Sequence, residues 1–177
     1  MRWAARRAAR HAGIFCLGLG LSVPAAADIS LEYQVKAAYL TKFMPFITWP
    51  DSAFPAPGAP VTICVLGDGP FGAKLEQAAA LAKSGDRAIQ VRHVAGPDPG
   101  CQMMFLGTGA EGMVDALRGK PVLTVTDSGL KTHGVISFVI ADNHVRFDID
   151  DAAAQQDGLT ISSKLLGLAH AVKRGMP

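Results

Sequence analysis

The spacing of apolar residues changes period several times along this chain. Over residues 29 to 48, Leu31, Val35, Tyr39 and Phe43 recur every four positions, and Ala38, Phe46 and Ile47 widen the row. That spacing predicts a helix with this stripe against the core. Pro45 and Pro50 mark its end. Residues 55–60, Pro-Ala-Pro-Gly-Ala-Pro, read as a loop. Short apolar runs then alternate with helical stretches. Val61 to Leu66, Ile89 to Val94, Cys101 to Leu106 and Val122 to Thr126 read as strands. Phe71 to Lys83 and Glu111 to Leu117 read as helices between them. The order β-α-β predicts a parallel sheet with helices on both faces. Val135 to Ile140 and His144 to Ile149 are separated only by Ala141-Asp142-Asn143, which predicts an antiparallel hairpin. A short helix near Ala152 to Gln156 follows. A last amphipathic helix is expected over Ser162 to Lys173, on Leu165, Leu168, Ala169 and Val172. The expected fold is a single three-layer α/β domain of Rossmann-like or flavodoxin-like type. Its sheet is mostly parallel, with a C-terminal antiparallel hairpin and flanking helices.

Residues 1–27 do not fit that alternation. They open with Arg2, Arg6, Arg7 and Arg10, run through an apolar stretch from Ala12 to Val23, and end Pro24-Ala25-Ala26-Ala27. A basic start, an apolar middle and a small-residue cleavage site, in that order, make a secretory signal cleaved near Ala27. The apolar stretch is shorter than the about 20 residues a membrane span needs. One domain, residues 28–177, then remains for the periplasm and does not itself span the membrane. Loss of the four arginines takes 17 basic residues to 13 against 15 acidic ones, so the formal charge moves from +2 to −2. The basic excess therefore belongs to the signal. With no Lys/Arg cluster left, the electrostatic footprint of a nucleic-acid binder is missing. Cys16 departs with the signal, leaving Cys64 and Cys101. Two cysteines in an oxidising compartment are expected to pair. In the chain-entropy picture the bridge would stabilise the fold by about 4 kcal/mol. Two buried free thiols are the alternative.

Candidate chemistry is sparse. Gly67-Asp68-Gly69-Pro70-Phe71-Gly72 matches G-x-G-x-x-G between a strand and a helix. Asp68 nevertheless puts a negative charge where pyrophosphate would lie, and Pro70 removes a backbone N–H. The next strand also ends without a ribose-binding acid, so a tight turn is the expected role and no cofactor is predicted. Asp148, Asp150 and Asp151 lack a cation-binding loop pattern, and Asp150 or Asp151 suits a helix cap. His93, His133, His144 and His170 lack zinc-ligand spacing, so no metal is predicted. Ser162-Ser163-Lys164 lacks the S-x-x-K spacing, and Ser162 suits a cap. No catalytic residue is assigned. In open α/β sheets, ligands bind beyond the carboxyl ends of the strands. Asp68, Thr108, Asp127 and Ser128 occupy such ends and are candidate ligand contacts, with turn formation as the alternative.

Several separated segments resemble the YfiR family of small periplasmic proteins. They are Val35-Lys36-Ala37-Ala38-Tyr39-Leu40 with Lys42-Phe43 and Trp49-Pro50, then Ile63-Cys64-Val65-Leu66-Gly67-Asp68. Cys101, Val122-Leu123-Thr124-Val125-Thr126-Asp127 and Val145-Arg146-Phe147-Asp148-Ile149 continue the match. Gly158-Leu159-Thr160-Ile161-Ser162-Ser163-Lys164-Leu165-Leu166 closes it and is its most distinctive piece. The resemblance implies an exported α/β domain with Cys64 and Cys101 as a matching disulfide pair. It also implies a regulator that restrains a membrane-bound diguanylate cyclase by binding the cyclase's periplasmic portion, with a homodimer as an open question. Three features depart from the family pattern: His133-Gly134 where a Gly-Gly pair is common, Asp150 where Asn is common, and no second cysteine pair. The last removes any basis for redox sensing through such a pair. The expected function is therefore a non-enzymatic periplasmic regulator of a membrane signalling protein. The alternative is a small-molecule binding module using the strand ends.

Overall fold

The computed structural model describes residues 30–67, 69–110 and 112–175. The expected signal segment, Asp68 and Glu111 lie outside the described residues.

Helix α1 spans Leu31–Phe43. Ser30 caps it, its Oγ accepting the Tyr33 N–H at 3.4 Å. A 3-10 turn, Met44–Phe46, carries Pro45 and leads into a two-residue strand, β1, Ile47–Thr48. The helix is thus shorter than the row of apolar residues predicts, because Pro45 ends it. Next come β2 Val61–Leu66, α2 Lys74–Leu81, β3 Lys83–Ser84 and β4 Arg87–Val94. They are followed by β5 Met103–Leu106, α3 Met113–Leu117, β6 Leu123–Thr126, β7 Ile136–Ala141 and β8 His144–Asp150. The chain closes with α4 Asp151–Gln156, β9 Thr160–Ile161, α5 Ser163–Leu166 and β10 Ala171–Lys173.

Eight strands form one sheet in the order β10-β8-β7-β6-β5-β2-β4-β3. The pairs among β4, β2, β5, β6 and β7 are parallel, while β7–β8 and β3–β4 are antiparallel. The expected α/β architecture, mostly parallel with an antiparallel hairpin, is the one observed. Asp142 and Asn143, at φ of 50° and 59°, form the two-residue hairpin turn, which needs positive φ at both positions. β1 pairs with β9 in a separate small ribbon.

Strands β5 and β6 are buried along their whole length; β5 is accordingly an unbroken apolar run, while β6 buries Thr124 and Thr126 between its apolar residues. One sheet face presents Ile63, Val65, Met103, Phe105, Leu123, Val125 and Phe138 to Leu40 and Phe43 of α1 and Leu75 of α2. Ring contacts such as Phe43–Phe147 (4.9 Å) and Phe71–Phe105 (4.7 Å) fill this layer. The opposite face packs Cys64, Met104 and Leu106 under Val114 and Leu117 of α3. Cys64 and Cys101 are joined there by a disulfide with a Cα separation of 5.9 Å.

The C-terminal segment departs from expectation. The helix predicted over Ser162 to Lys173 stops at Leu166, and residues 171–173 join the sheet as β10, parallel to β8. The His170 N–H donates to Phe147 O at 2.8 Å. His170 and Lys173 also pair with Asp148 and Asp150 of β8, at 2.9 and 2.8 Å. Completing the open edge of β8 outweighs the local helical spacing, a gain that only the assembled sheet offers. Asp150 and Ser162 cap α4 and α5, accepting the N–H groups of Ala153 and Leu165.

Candidate functional site

The crossovers place a crevice on the sheet. From β2 the chain passes through α2 to β4 on one side. It then returns to β5 on the other side of β2 and continues through α3, on the opposite face, to β6. The direction of winding reverses between β2 and β5. At such a point the loops leaving two adjacent strands diverge to opposite faces and open a gap beyond their carboxyl ends. A cleft of about 290 Å³ lies there, lined by Leu66, Gly69, Pro70, Phe105, Thr108, Tyr33 and Asp127 among others. Gly69 is required in its wall: φ is +64°, and a Cβ would sit 2.3 Å from Val65 Cγ1.

Two of the predicted strand-end residues, Thr108 and Asp127, line this one cleft. Ser128 lies behind it, its Oγ accepting from Lys36 Nζ at 3.2 Å. Asp68 is outside the described residues, between two turn glycines. Cys64 and Cys101 belong to the other sheet face, where Arg92 Nη2 lies 3.3 Å from Cys101 Sγ and is held by Asp98 at 2.6 Å. Among the described residues no group of three or more His, Cys, Asp or Glu side chains is placed to share a metal ion.

Around Asp127 the polar wall is completed by residues that were assigned no site role, Tyr33 at the cleft and Lys36 and Glu32 behind it. Lys36, 0% exposed, is paired with both Asp127 and Glu32. The Tyr33 hydroxyl donates to Asp127 Oδ2 at 2.8 Å, and its ring meets Phe71 edge-on. Asp127 Oδ1 also accepts its neighbour's amide, Ser128 N, at 2.8 Å. Burial first, then the hydrogen bond to Asp127 and the charges of Asp127 and Glu32, push the Tyr33 phenol up to about 12. It therefore stays protonated, with its oxygen lone pairs left over as acceptors. The signal that could have found this group is the Glu32–Lys36 spacing on α1, an i, i+4 pair with the acid on the N-terminal side.

Lys36 also rotates α1 relative to expectation. The buried row is Lys36, Ala37, Leu40, Thr41 and Phe43. Of the predicted stripe Phe43 and Ile47 are buried, Tyr39 and Phe46 are partly buried against the core, and Leu31 is exposed. Leu31, Val35 and Tyr39 line a second groove of about 440 Å³ with Ile140 and Val145 of the hairpin, rimmed by Glu32, His144 and Arg146. Leu31 is 75% exposed and Ile140 50%. The first turns of α1 thus form a common wall. Tyr33 faces the strand-end cleft, Leu31 and Val35 face the apolar groove, and Lys36 connects Glu32 on one side to Asp127 on the other.

The sequence profile of a family described as YfiR/HmsC-like matches residues 33–170. No curated protein matches the chain. Among solved structures, a conserved domain protein from Vibrio cholerae O1 biovar El Tor strain N16961 is similar at a TM-score of 0.50 and 12% identity. The alignment covers 80% of this chain and 60% of that one, and at this identity it bears on the fold alone.

Proposed function

The chain belongs to the YfiR/HmsC-like family, a family of periplasmic regulators of diguanylate cyclase signalling, and from that premise we propose how it acts. It restrains a membrane-bound diguanylate cyclase by binding the cyclase's periplasmic portion, without catalysing a reaction. The observation that carries this reading is the groove in which the exposed Leu31 and Ile140 adjoin Val35, Tyr39 and Val145. Adjoining apolar side chains at a surface, with a polar rim, mark an interaction site. The expected occupant is an apolar face of the cyclase near the membrane, with the rim groups Glu32 and Arg146 fixing its register. Binding must favour one state of the cyclase, because a partner with equal affinity for both states shifts nothing.

The test is made in the native cell. Deletion of the gene should raise cyclic-di-GMP, and the wild-type chain should restore it. A variant with Leu31→Asp and Val35→Asp should be exported and folded but fail to restore it. Buried anchors at the centre of an interface carry about 2 kcal/mol or more each, so affinity for the membrane partner should fall at least about 30-fold. Unchanged cyclic-di-GMP on deletion would remove the regulatory reading. Full restoration by the double variant would move the docking surface elsewhere.

A second reading is supported by the cleft between β2 and β5: the domain also holds a small molecule at the strand ends. A ligand bound only by the folded state raises the melting temperature, its stabilisation growing with the logarithm of free ligand above the Kd. A screen that yields no ligand acting at Thr108 and Asp127 would remove this reading without touching the first.

A further inference from the structure

We infer that the cleft between the ends of β2 and β5 takes a small protonated amine. This rests on the second reading above and assigns the chemistry of its ligand. Three observations carry it. First, the polar side chains at the wall all offer acceptors: the Asp127 carboxylate, the Tyr33 oxygen and the Thr108 hydroxyl, which can also donate. Asp127 pairs with Lys36, and the Tyr33 O–H already donates to Asp127 Oδ2, so the remaining lone pairs of its oxygen face a ligand as acceptors. Second, the charge behind the wall is negative. Glu32 and Asp127 carry two negative charges against the single positive charge of Lys36, and the group is buried at its centre. Lys36 is fully enclosed, so its ammonium is not offered to an anion. No cationic side chain lines the cleft among the described residues. Third, the remaining walls, Leu66, Pro70 and Phe105, are apolar. They suit a hydrocarbon or aromatic body whose ammonium reaches Tyr33 and Asp127. A phosphate or carboxylate would meet the acceptors and the net negative charge together, and each contact of like sign disfavours it.

The test uses three probes of matched shape and different charge: benzylamine, benzyl alcohol and benzoate. Each is titrated at neutral pH into the isotopically labelled mature domain, with thermal unfolding in parallel. Benzylamine should shift the backbone resonances of Gly69, Gly107 and Thr108 and raise the melting temperature. Benzyl alcohol should bind at least about tenfold more weakly, and benzoate should leave those resonances still. Tyr33→Phe keeps Asp127 and Lys36 paired while removing one acceptor, and should weaken benzylamine several-fold. Asp127→Asn should abolish its binding; if that variant fails to fold, Thr108→Val and Tyr33→Phe carry the localisation. Benzoate binding at these resonances as well as benzylamine would overturn the amine assignment and leave the cleft reading standing. Shifts confined to the groove of Leu31 and Val35, or no binding by any probe, would overturn both.

Discussion

The two faces of α1 contrast more sharply than any other pair of surfaces in the domain. The inward face carries Lys36 and Thr41 among its buried residues; the outward face carries Leu31, Val35 and Tyr39. A lysine is rarely enclosed unless it is paired, and a row of apolar residues is rarely left at a surface without a purpose. Toward the end of the helix ordinary polarity returns, with Phe43 and then Met44 in the core. The inversion is confined to the turns that separate the cleft from the groove. There the helix lines both the cleft and the groove, while its C-terminal half packs in the core. The energetic difference is direct. Inside, an ion pair holds the helix to the end of β6; outside, Leu31 is mostly exposed, while Tyr39 still packs against Phe138 and Phe147.

Removing the inner cation should have the largest effect. Lys36→Met leaves Asp127 enclosed and ionised with only Tyr33 and Ser128 as partners. Breaking one side of a buried pair costs about 3–5 kcal/mol. Urea unfolding of the variant should show that loss. Replacing the pair on both sides, Lys36→Met with Asp127→Leu, should recover most of it, since the uncompensated charge is gone. A single variant within about 0.5 kcal/mol of the parent would mean that the pair does not anchor α1, and the contrast between the faces would lose its physical basis.

The same contrast shows where sequence reading succeeds. The central strands were legible because burial on both faces leaves short runs with few charges, continuously apolar in Met103-Met104-Phe105-Leu106. The hairpin was legible because Asp142-Asn143 suits a turn of positive φ. The position of Thr108 and Asp127 at strand ends was legible from chain order alone. Lys36 was not. Its partner Asp127 lies 91 residues away, and no local spacing reports a contact of that range. Local period therefore assigned Leu31 to the core, where it is exposed, and left Lys36 out of it. Residues 171–173 failed for the same reason: only the unpaired edge of β8, formed by tertiary assembly, makes them a strand.

Tyr33 stands at the boundary between the faces, and its loss should cost less. Tyr33→Phe keeps the ring against Phe71 and removes one hydrogen bond to a charged acceptor, a change of about 1.5–3 kcal/mol where both partners are enclosed and about 1 kcal/mol for this half-buried group. The hydroxyl also leaves a pH signature. Its pKa is raised from 10.0 to about 12 in the folded domain. For a group raised on folding, the stabilisation is fully present below pH 10 and is lost as pH climbs toward about 12. In a Tyr39→Phe background, Tyr33 is the single tyrosine, since the chain has two. Its ultraviolet titration should have a midpoint well above 10, and a midpoint at 10 would remove the hydrogen bond from the site.

The smallest stability change should come from the outer face, and that is what makes it diagnostic. Leu31→Ser removes an apolar side chain that is already 75% exposed, so little apolar area returns to water on unfolding. Surface substitutions of this kind stay within about 0.5 kcal/mol. The same change removes an anchor from the groove proposed to dock the membrane partner. A residue whose loss leaves unfolding unmoved but releases the cyclase from restraint has no role in the core to explain it. If Leu31→Ser instead lowered stability by more than about 1 kcal/mol, the side chain would be packed in solution, and the outer face of α1 would be a second core surface.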